Sequence, residues 1–389
     1  MVRLSRRIPA DLGPNRLACA RAALGTIPFD LTESNPTACD LPYPADLLDA
    51  LADTRGLIYR PHPRGPLEAR KAVAAEYLRW GVDVDPKRVV LTASTSEAYG
   101  LLFRLLADPG DAVLVPTPSY PLFDHLTRLE SVRSMLYDLR LEDGWRMDFS
   151  TIEGGGDRVR AVVVVHPNNP TNSFVHPEDG CRLIRICRER GWALISDEVF
   201  LPYPLDGGPG EDATFAATTG CLTFTLGGLS KSIGLPQAKL AWVVAGGPGD
   251  KVTEVLEGLD YATDAYLTVS TPVALAAPRL LAEGAAVRAA IGERCRTNLA
   301  ALRTAAAAHP ATEILPCGGG WSAVLALCLR LLTEHGVAVH PGLFFGFASG
   351  VHLVLSLLPL EEIFAEGVRR LFNSLTPGPA LPGSRSVDG

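Results

Sequence analysis

The stretch "RVVLTASTSEAYGLLFRLLADPGDAVLVPTPSYP", residues 88–121, holds a complete structural unit. Two short apolar runs, RVVLTA (88–93) and DAVLVP (111–116), flank SEAYGLLFRLLADPG, which has the length and pattern of a helix. Runs this short and this apolar read as strands buried on both faces, and the segment between them as a crossover helix. The pattern continues in RAVVVVHP (160–167), WALISDEVF (192–200), CLTFTLGG (221–228) and KLAWVVAGG (239–247), with PEDGCRLIRICRERG as a further helix. The middle of the chain is therefore expected to be α/β, with parallel strands.

After Thr271 the texture changes to alanine- and leucine-rich helix, followed by strand-like pieces in WSAVLAL and VHLVLSLL. A second, smaller α+β domain is expected there, joined by the N-terminal residues. The boundaries read as 45–270 for the large domain, and 1–44 with 271–376 for the small one. The tail PGPALPGSRSVDG (377–389) lacks apolar periodicity and reads as disordered.

The 389 residues are 47% hydrophobic, enough to fill two cores, and carry a net charge of -7 without long single-sign runs. That balance gives no footprint for nucleic acid and no electrostatic membrane anchor, so small or charged metabolites remain as ligands. The eight cysteines include no CxxC pair and read as reduced thiols. The N-terminus has basic residues but no apolar core of a signal peptide, and no apolar run approaches the ~18 residues of a membrane span. These features point to a soluble, cytoplasmic protein.

Ligands of open parallel sheets sit at the carboxyl ends of the strands. Four such ends carry polar groups here. Ser94-Thr95-Ser96 opens a helix and can seat an anion, though a plain N-cap explains it as well. Asn168-Asn169-Pro170-Thr171-Asn172 reads by itself as a turn. Asp197 closes an otherwise buried run and needs a partner, such as a cationic ligand atom. Lys231, within LGGLSKSIGLPQAKLAW (226–242), lies among small residues where lost hydration lowers an amine's pKa toward that of a nucleophile. Lys71, Lys87 and Lys251 sit in surface contexts instead.

The segments TASTSEAYGLLFRLLADPGDAVLVPTPSYP, HPNNPTN, SDEVF and LSKSIGLPQAKLAW, in this order and spacing, resemble the pyridoxal-phosphate enzymes of fold type I, in the class I/II aminotransferase family. The similarity runs from about Asn35 to about Arg370. It implies a large domain with a mostly parallel seven-stranded sheet between helices, and pyridoxal 5'-phosphate as cofactor. Lys231 would form the Schiff base with the cofactor aldehyde and move the substrate proton, with Ser230 beside it. Asp197 would keep the pyridine nitrogen protonated, and Asn169 would donate to the ring's phenolic oxygen. Tyr120 and Val199 would cover the two ring faces. Ser94, Thr95 and Ser96 would hold the phosphate, with Lys239 adding positive charge. Tyr59 would reach the phosphate of a neighbouring subunit, which implies a homodimer.

Five positions depart from the family pattern. Phe200 stands where the family usually has a tyrosine donor to the phenolic oxygen, which predicts a raised pKa for the Schiff base. Lys239 replaces an arginine, and Gly228 a serine that often contacts the phosphate. Asn172 replaces the glycine of NPTG, which asparagine's tolerance of positive φ accommodates. The arginine that clamps the substrate carboxylate falls on Val354. Either the register is off, or Arg60 or Arg64 takes the role, or the substrate is not held by an ordinary α-carboxylate. Asn35 and Trp321 join Arg60, Arg64 and Val354 as substrate-site candidates, although Trp321 reads equally well as core.

The leading expectation is an aminotransferase acting on an amino acid and a 2-oxo acid. The alternative is a pyridoxal-phosphate lyase, a β- or γ-replacement enzyme or a specialised biosynthetic catalyst on the same fold. A ligand-sensing domain of a transcription regulator is disfavoured by the few residues before Asn35. A cofactor-free scaffold is disfavoured by the retention of Lys231, Asp197 and Asn169. No metal ligands are expected.

Overall fold

The computed structural model describes residues 4–25, 27–142, 144–206, 214–267, 269–309, 312–326, 337–347 and 352–375. Its strands are β1 (Phe29–Asp30), β2 (Val89–Thr92), β3 (Ala112–Thr117), β4 (Arg133–Glu142), β5 (Gly144–Met147), β6 (Val159–Val165), β7 (Ala193–Asp197), β8 (Thr223–Gly228), β9 (Ala241–Gly246), β10 (Glu313–Ile314), β11 (Ser322–Ala326), β12 (Val337–Ala338), β13 (His340–Pro341) and β14 (His352–Ser356). Each of the six apolar runs read from the sequence contains one strand of the large sheet.

That sheet has eight strands in the order β2-β9-β8-β7-β6-β3-β4-β5. The pairs β3–β4, β3–β6, β6–β7 and β7–β8 are parallel. Two details differ from expectation. β9 runs antiparallel to both neighbours, because the chain returns from β8 through two short helical turns, Leu229–Ser232 and Pro236–Ala238, with no crossover helix. The eighth strand, β5, is folded back on β4 as an antiparallel hairpin, and the left-handed φ of 82° at Gly144 opens its return. Apolar runs do not reveal this hairpin, because β4 is largely exposed and its residues, RSMLYDLRLE, lack such a run.

Central strands are buried on both faces, as β6 shows with Val162, Val163 and Val164 all at 0% exposure. One face packs on the helices Thr95–Leu106 and Gly249–Tyr266 through Leu102, Phe103 and Leu259. Helix Pro177–Arg190 covers the other with Leu183, Ile186 and Cys187.

The later part of the chain builds a four-stranded antiparallel sheet, β10-β11-β14-β13. Helices Ala285–Ala307 and Glu361–Leu375 pack together in its core. The first buries Val287, Ile291, Cys295, Leu299 and Leu302, the spacing of one helical face. Near the N-terminus, β1 pairs in parallel with β12 as a separate two-stranded sheet. Among the described residues no helix is long and apolar enough to cross a membrane. The expected disordered tail lies outside the described residues.

Candidate active site

The carboxyl ends of β2, β7 and β8 converge on one edge of the large sheet. There they meet β11, β13 and β14 across a cavity of about 550 Å³. Ser94, Thr95, Ser96, Tyr120, Asn169, Asp197, Val199, Phe200, Ser230, Lys231, Lys239, Trp321 and Val354 line it, so residues up to 260 positions apart in the chain share one space. Four candidates do not reach this cavity. Asn35 accepts hydrogen bonds from the Thr37 backbone N–H and hydroxyl, capping a short turn. Arg64 is committed elsewhere: its guanidinium clamps Asp260 with two 2.6 Å bonds and donates to the Lys87 carbonyl at 2.8 Å. That bidentate pairing leaves it no free fork for a substrate carboxylate in this cavity. Arg60 and Tyr59 lie on the exposed segment Leu57–Arg60, away from the cavity of their own chain.

Lys231 and Asp197 are the electrostatic pair of the site. Burial is the main reason the lysine's pKa falls to about 8, and the nearby Asp197 carboxylate partly opposes it. The Nζ stands 4.6 Å from the centroid of the Trp321 ring and 5.6 Å from that of Phe200, so two aromatic faces replace its water. These rings meet edge to face at 5.4 Å. Trp321 is thus both core, at 4% exposure, and cavity wall.

Asp197 shifts in the opposite direction. Burial raises its carboxyl to about 6, against the Val199 backbone N–H, the Tyr99 hydroxyl and the charge of Lys231. Tyr99 donates to Oδ2 at 2.9 Å, and the Val199 N–H donates to Oδ1 at 3.2 Å. Sequence reasoning missed Tyr99, whose apolar neighbours in the helix Thr95–Leu106 gave it the look of a core residue. Tyr203, also missed, donates from its hydroxyl to the Lys231 carbonyl at 2.5 Å and holds the lysine's short helical turn.

The Ser94 segment caps its helix. Ser94 Oγ accepts from the Glu97 N–H at 3.1 Å, and Glu97 Oε2 accepts from the Ala93 N–H at 2.5 Å, a reciprocal cap. Ser94, Thr95 and Ser96 border the cavity, so the helix presents its positive end there. Lys239 is exposed, with φ at 51°. At Gly228 an added Cβ would lie 3.0 Å from the Ala241 Cβ and 3.3 Å from the Leu240 carbonyl, which restricts this position to glycine without some shift.

Asn172 adopts φ 56°, as its asparagine identity predicts. Its Nδ2 donates to the Ser322 carbonyl and to Cys317 Sγ, and its Oδ1 accepts from Ser322 Oγ at 3.0 Å. The Gly318 and Gly319 N–H groups donate to its carbonyl at 3.0 and 2.9 Å. One residue thus ties the NNPTN turn to the CGGGW segment. The cavity's other polar lining, Thr32, Ser34, Ser322, His340 and Ser356, comes from segments without a recognisable motif. Among the described residues no cluster of metal ligands occurs, and the seven described cysteines are free thiols.

This donor set fits pyridoxal 5'-phosphate. A buried amine of lowered pKa suits an aldehyde, and a desolvated carboxylate suits a protonated ring nitrogen. A helix N-terminus bordered by hydroxyls suits a phosphate.

Comparison with known proteins gives the same direction. A profile of the family described as aminotransferase class I and II matches residues 34–361. Alanine aminotransferase of Mycobacterium tuberculosis is 27% identical over 353 residues, covering 85% of this chain and 80% of that protein. Capreomycidine synthase of Streptomyces vinaceus is 31% identical over 322 residues, covering 79% of this chain and 80% of its own. Among solved structures, alanine aminotransferase from Pyrococcus furiosus superimposes with a TM-score of 0.80 at 25% identity, over 92% of this chain and 94% of that one.

Proposed function

The chain belongs to the aminotransferase class I and II family, and from that premise we propose which of its residues carry amino-group transfer between an amino acid and a 2-oxo acid. The family's cofactor, pyridoxal 5'-phosphate, supplies an aldehyde that takes up the amino group and a ring that accepts the electrons of the Cα–H bond. Lys231 would present its neutral amine to that aldehyde, and would hold the Cα proton and return it. Asp197 would hold positive charge on the ring nitrogen, and Tyr99 donates to the carboxylate and favours its ionised form. Asn169 would donate to the phenolic oxygen, while Tyr120 and Val199 would cover the ring. Ser94, Thr95, Ser96, Ser230 and Lys239 would hold the phosphate. Phe200 and Trp321 exclude water around the Lys231 amine.

The observation that carries this reading is the opposed pair: a lysine lowered to about 8 and a carboxylate raised to about 6, facing one cavity. The test is to mix the cofactor-loaded protein with single amino acids and look for pyridoxamine phosphate and the matching 2-oxo acid. Transfer lost in Lys231→Ala supports the assignment, and undiminished transfer in that variant overturns it.

We further infer a homodimer with Tyr59 reaching a neighbouring subunit's phosphate. Leu57, Ile58 and Tyr59, at 86%, 55% and 64% exposure, form an apolar run that a second copy would cover. Sedimentation of the wild type as a monomer would refute this. The protein's place is taken to be the cytoplasm, its division 45–270 against 1–44 with 271–376. A second reading, a pyridoxal-phosphate enzyme of another reaction type, draws on Val354, which leaves the usual carboxylate clamp missing. Release of ammonia or a leaving group, without pyridoxamine phosphate, would favour it.

A further inference from the structure

Val354 stands in the cavity wall, packed with Leu315 and Val324. Among the described residues no arginine lines this cavity, and its lysines, Lys231 and Lys239, are assigned above to the cofactor. One further titratable side chain lines it on the β13–β14 side. His340 is the Cα partner of Val354 across the antiparallel β13–β14 pair and borders the same cavity. Directly opposed residues on such a ladder point to one face, with Cβ atoms about 4.5–5.5 Å apart. The imidazole is thus beside the place a guanidinium at 354 would occupy.

Resting on the aminotransferase reading, we propose that His340 receives the substrate carboxylate in place of an arginine at 354. The neighbouring lining suits an anionic group, since Ser34 and Ser356 offer neutral hydroxyls and Thr32 stands beside them. The ring itself is placed by three elements. Phe345 meets it edge to face at 6.0 Å, the Thr32 backbone hydrogen-bonds it, and Val354 lies opposite. Behind Thr32, Arg21 pairs with Asp30 at 2.5 Å and donates to Thr32 Oγ1 at 2.9 Å.

The charges facing His340 determine how such a site responds to pH. Burial lowers its pKa below the usual value of 6.5, and the Arg21 guanidinium adds to this. The Asp30 carboxylate and the Thr32 backbone act the other way. Among the described residues, Lys231, Lys239 and Asp197 are the other charged side chains lining the cavity. In the free site the imidazole is therefore neutral at pH 7. An arriving carboxylate favours the protonated ring and raises its pKa. The complex then binds more protons than the free site between the two pKa values. Affinity consequently rises as pH falls through that window, by up to about tenfold per unit, whereas an arginine clamp would leave it flat.

The experiment uses the cofactor-loaded protein and propionate, a carboxylate without an amino group. Isothermal titration in buffers of different protonation enthalpy, between about pH 6 and about pH 9, reads affinity and proton uptake together. Wild type should take up close to one proton and bind more weakly as pH rises. His340→Gln should retain the cofactor's absorbance, bind propionate about tenfold more weakly at the acid end and take up about one proton fewer than wild type. Because both proteins carry the same cofactor, its own titration cancels in the comparison. Adding Val354→Arg to His340→Gln should restore binding that no longer depends on pH. Wild-type affinity and proton uptake in His340→Gln would overturn the proposal, as would absence of propionate binding by wild type. Failure of the wild type to take up pyridoxal phosphate would instead count against the aminotransferase reading.

Discussion

The Tyr99 hydroxyl donates to Asp197 Oδ2 at 2.9 Å, linking the helix behind the Ser94 seat to the carboxylate that closes β7. The bond is one of the influences holding Asp197's pKa down against burial. Tyr99→Phe should therefore raise the Asp197 pKa further and weaken its hold on a positive ring nitrogen. A hydrogen bond to a charged acceptor contributes about 1.5–3 kcal/mol, so kcat/KM should fall about tenfold to a hundredfold. The acid limb of its pH profile should also move to higher pH, a shift that simple loss of packing would not produce.

Lys231 makes the apoprotein's reaction with pyridoxal phosphate a measure of its pKa. The neutral amine is the nucleophile, so the rate should climb with pH and level off above about 8, where an ordinary lysine would still be rising toward 10.5. Asp197→Asn removes the charge that opposes the shift and should move the midpoint lower. Stability follows the same linkage. The unfolded lysine binds more protons than the folded one between about 8 and 10.5, so Lys231's burial becomes less costly as pH rises through that window. Chemical denaturation of Lys231→Met apoprotein should show that gain missing.

Phe200 tests the cofactor's phenolic oxygen. It lines the cavity without a hydroxyl, so the bound cofactor's spectral pKa should be higher than in a Phe200→Tyr variant, where a new donor favours the deprotonated form. Spectrophotometric titration of both proteins decides it, and an unchanged pKa would refute the assignment of Phe200 to that oxygen.

Asn172 separates backbone strain from side-chain bonding. Asn172→Gly keeps the left-handed φ at no steric cost but loses the bonds to Ser322 and Cys317. It should cost about 1–2 kcal/mol. Asn172→Ala loses the same bonds and adds a strained Cβ, for a total of about 2–3 kcal/mol. Thermal denaturation should rank wild type above Gly and Gly above Ala.

Much of this architecture is legible in local residue patterns. The six apolar runs locate six of the large sheet's eight strands because a strand buried on both faces must be apolar throughout, as β6 is. The exposed hairpin β4–β5 carries no such constraint and leaves no such mark. Lys231, Asp197, Asn169 and the Ser94 segment are legible because each lies where a strand ends and a polar residue interrupts an apolar context. Arg64 shows the opposite case. Its place in a basic, proline-rich segment suggests a free cation, and only the packed chain shows that Asp260, nearly 200 residues away, occupies it.

Local patterns along the chain therefore sufficed for the α/β architecture and for the polar strand ends, and the order of the motifs carried the resemblance that implied the cofactor, since those follow from one strand and its following turn. The far wall of the cavity had to await tertiary structure. Tyr99 reaching Asp197, Trp321 and Phe200 drying the Lys231 amine, and His340 standing opposite Val354 arise from contacts between distant segments. Such contacts depend on sheet register and helix packing, which no short window of sequence encodes.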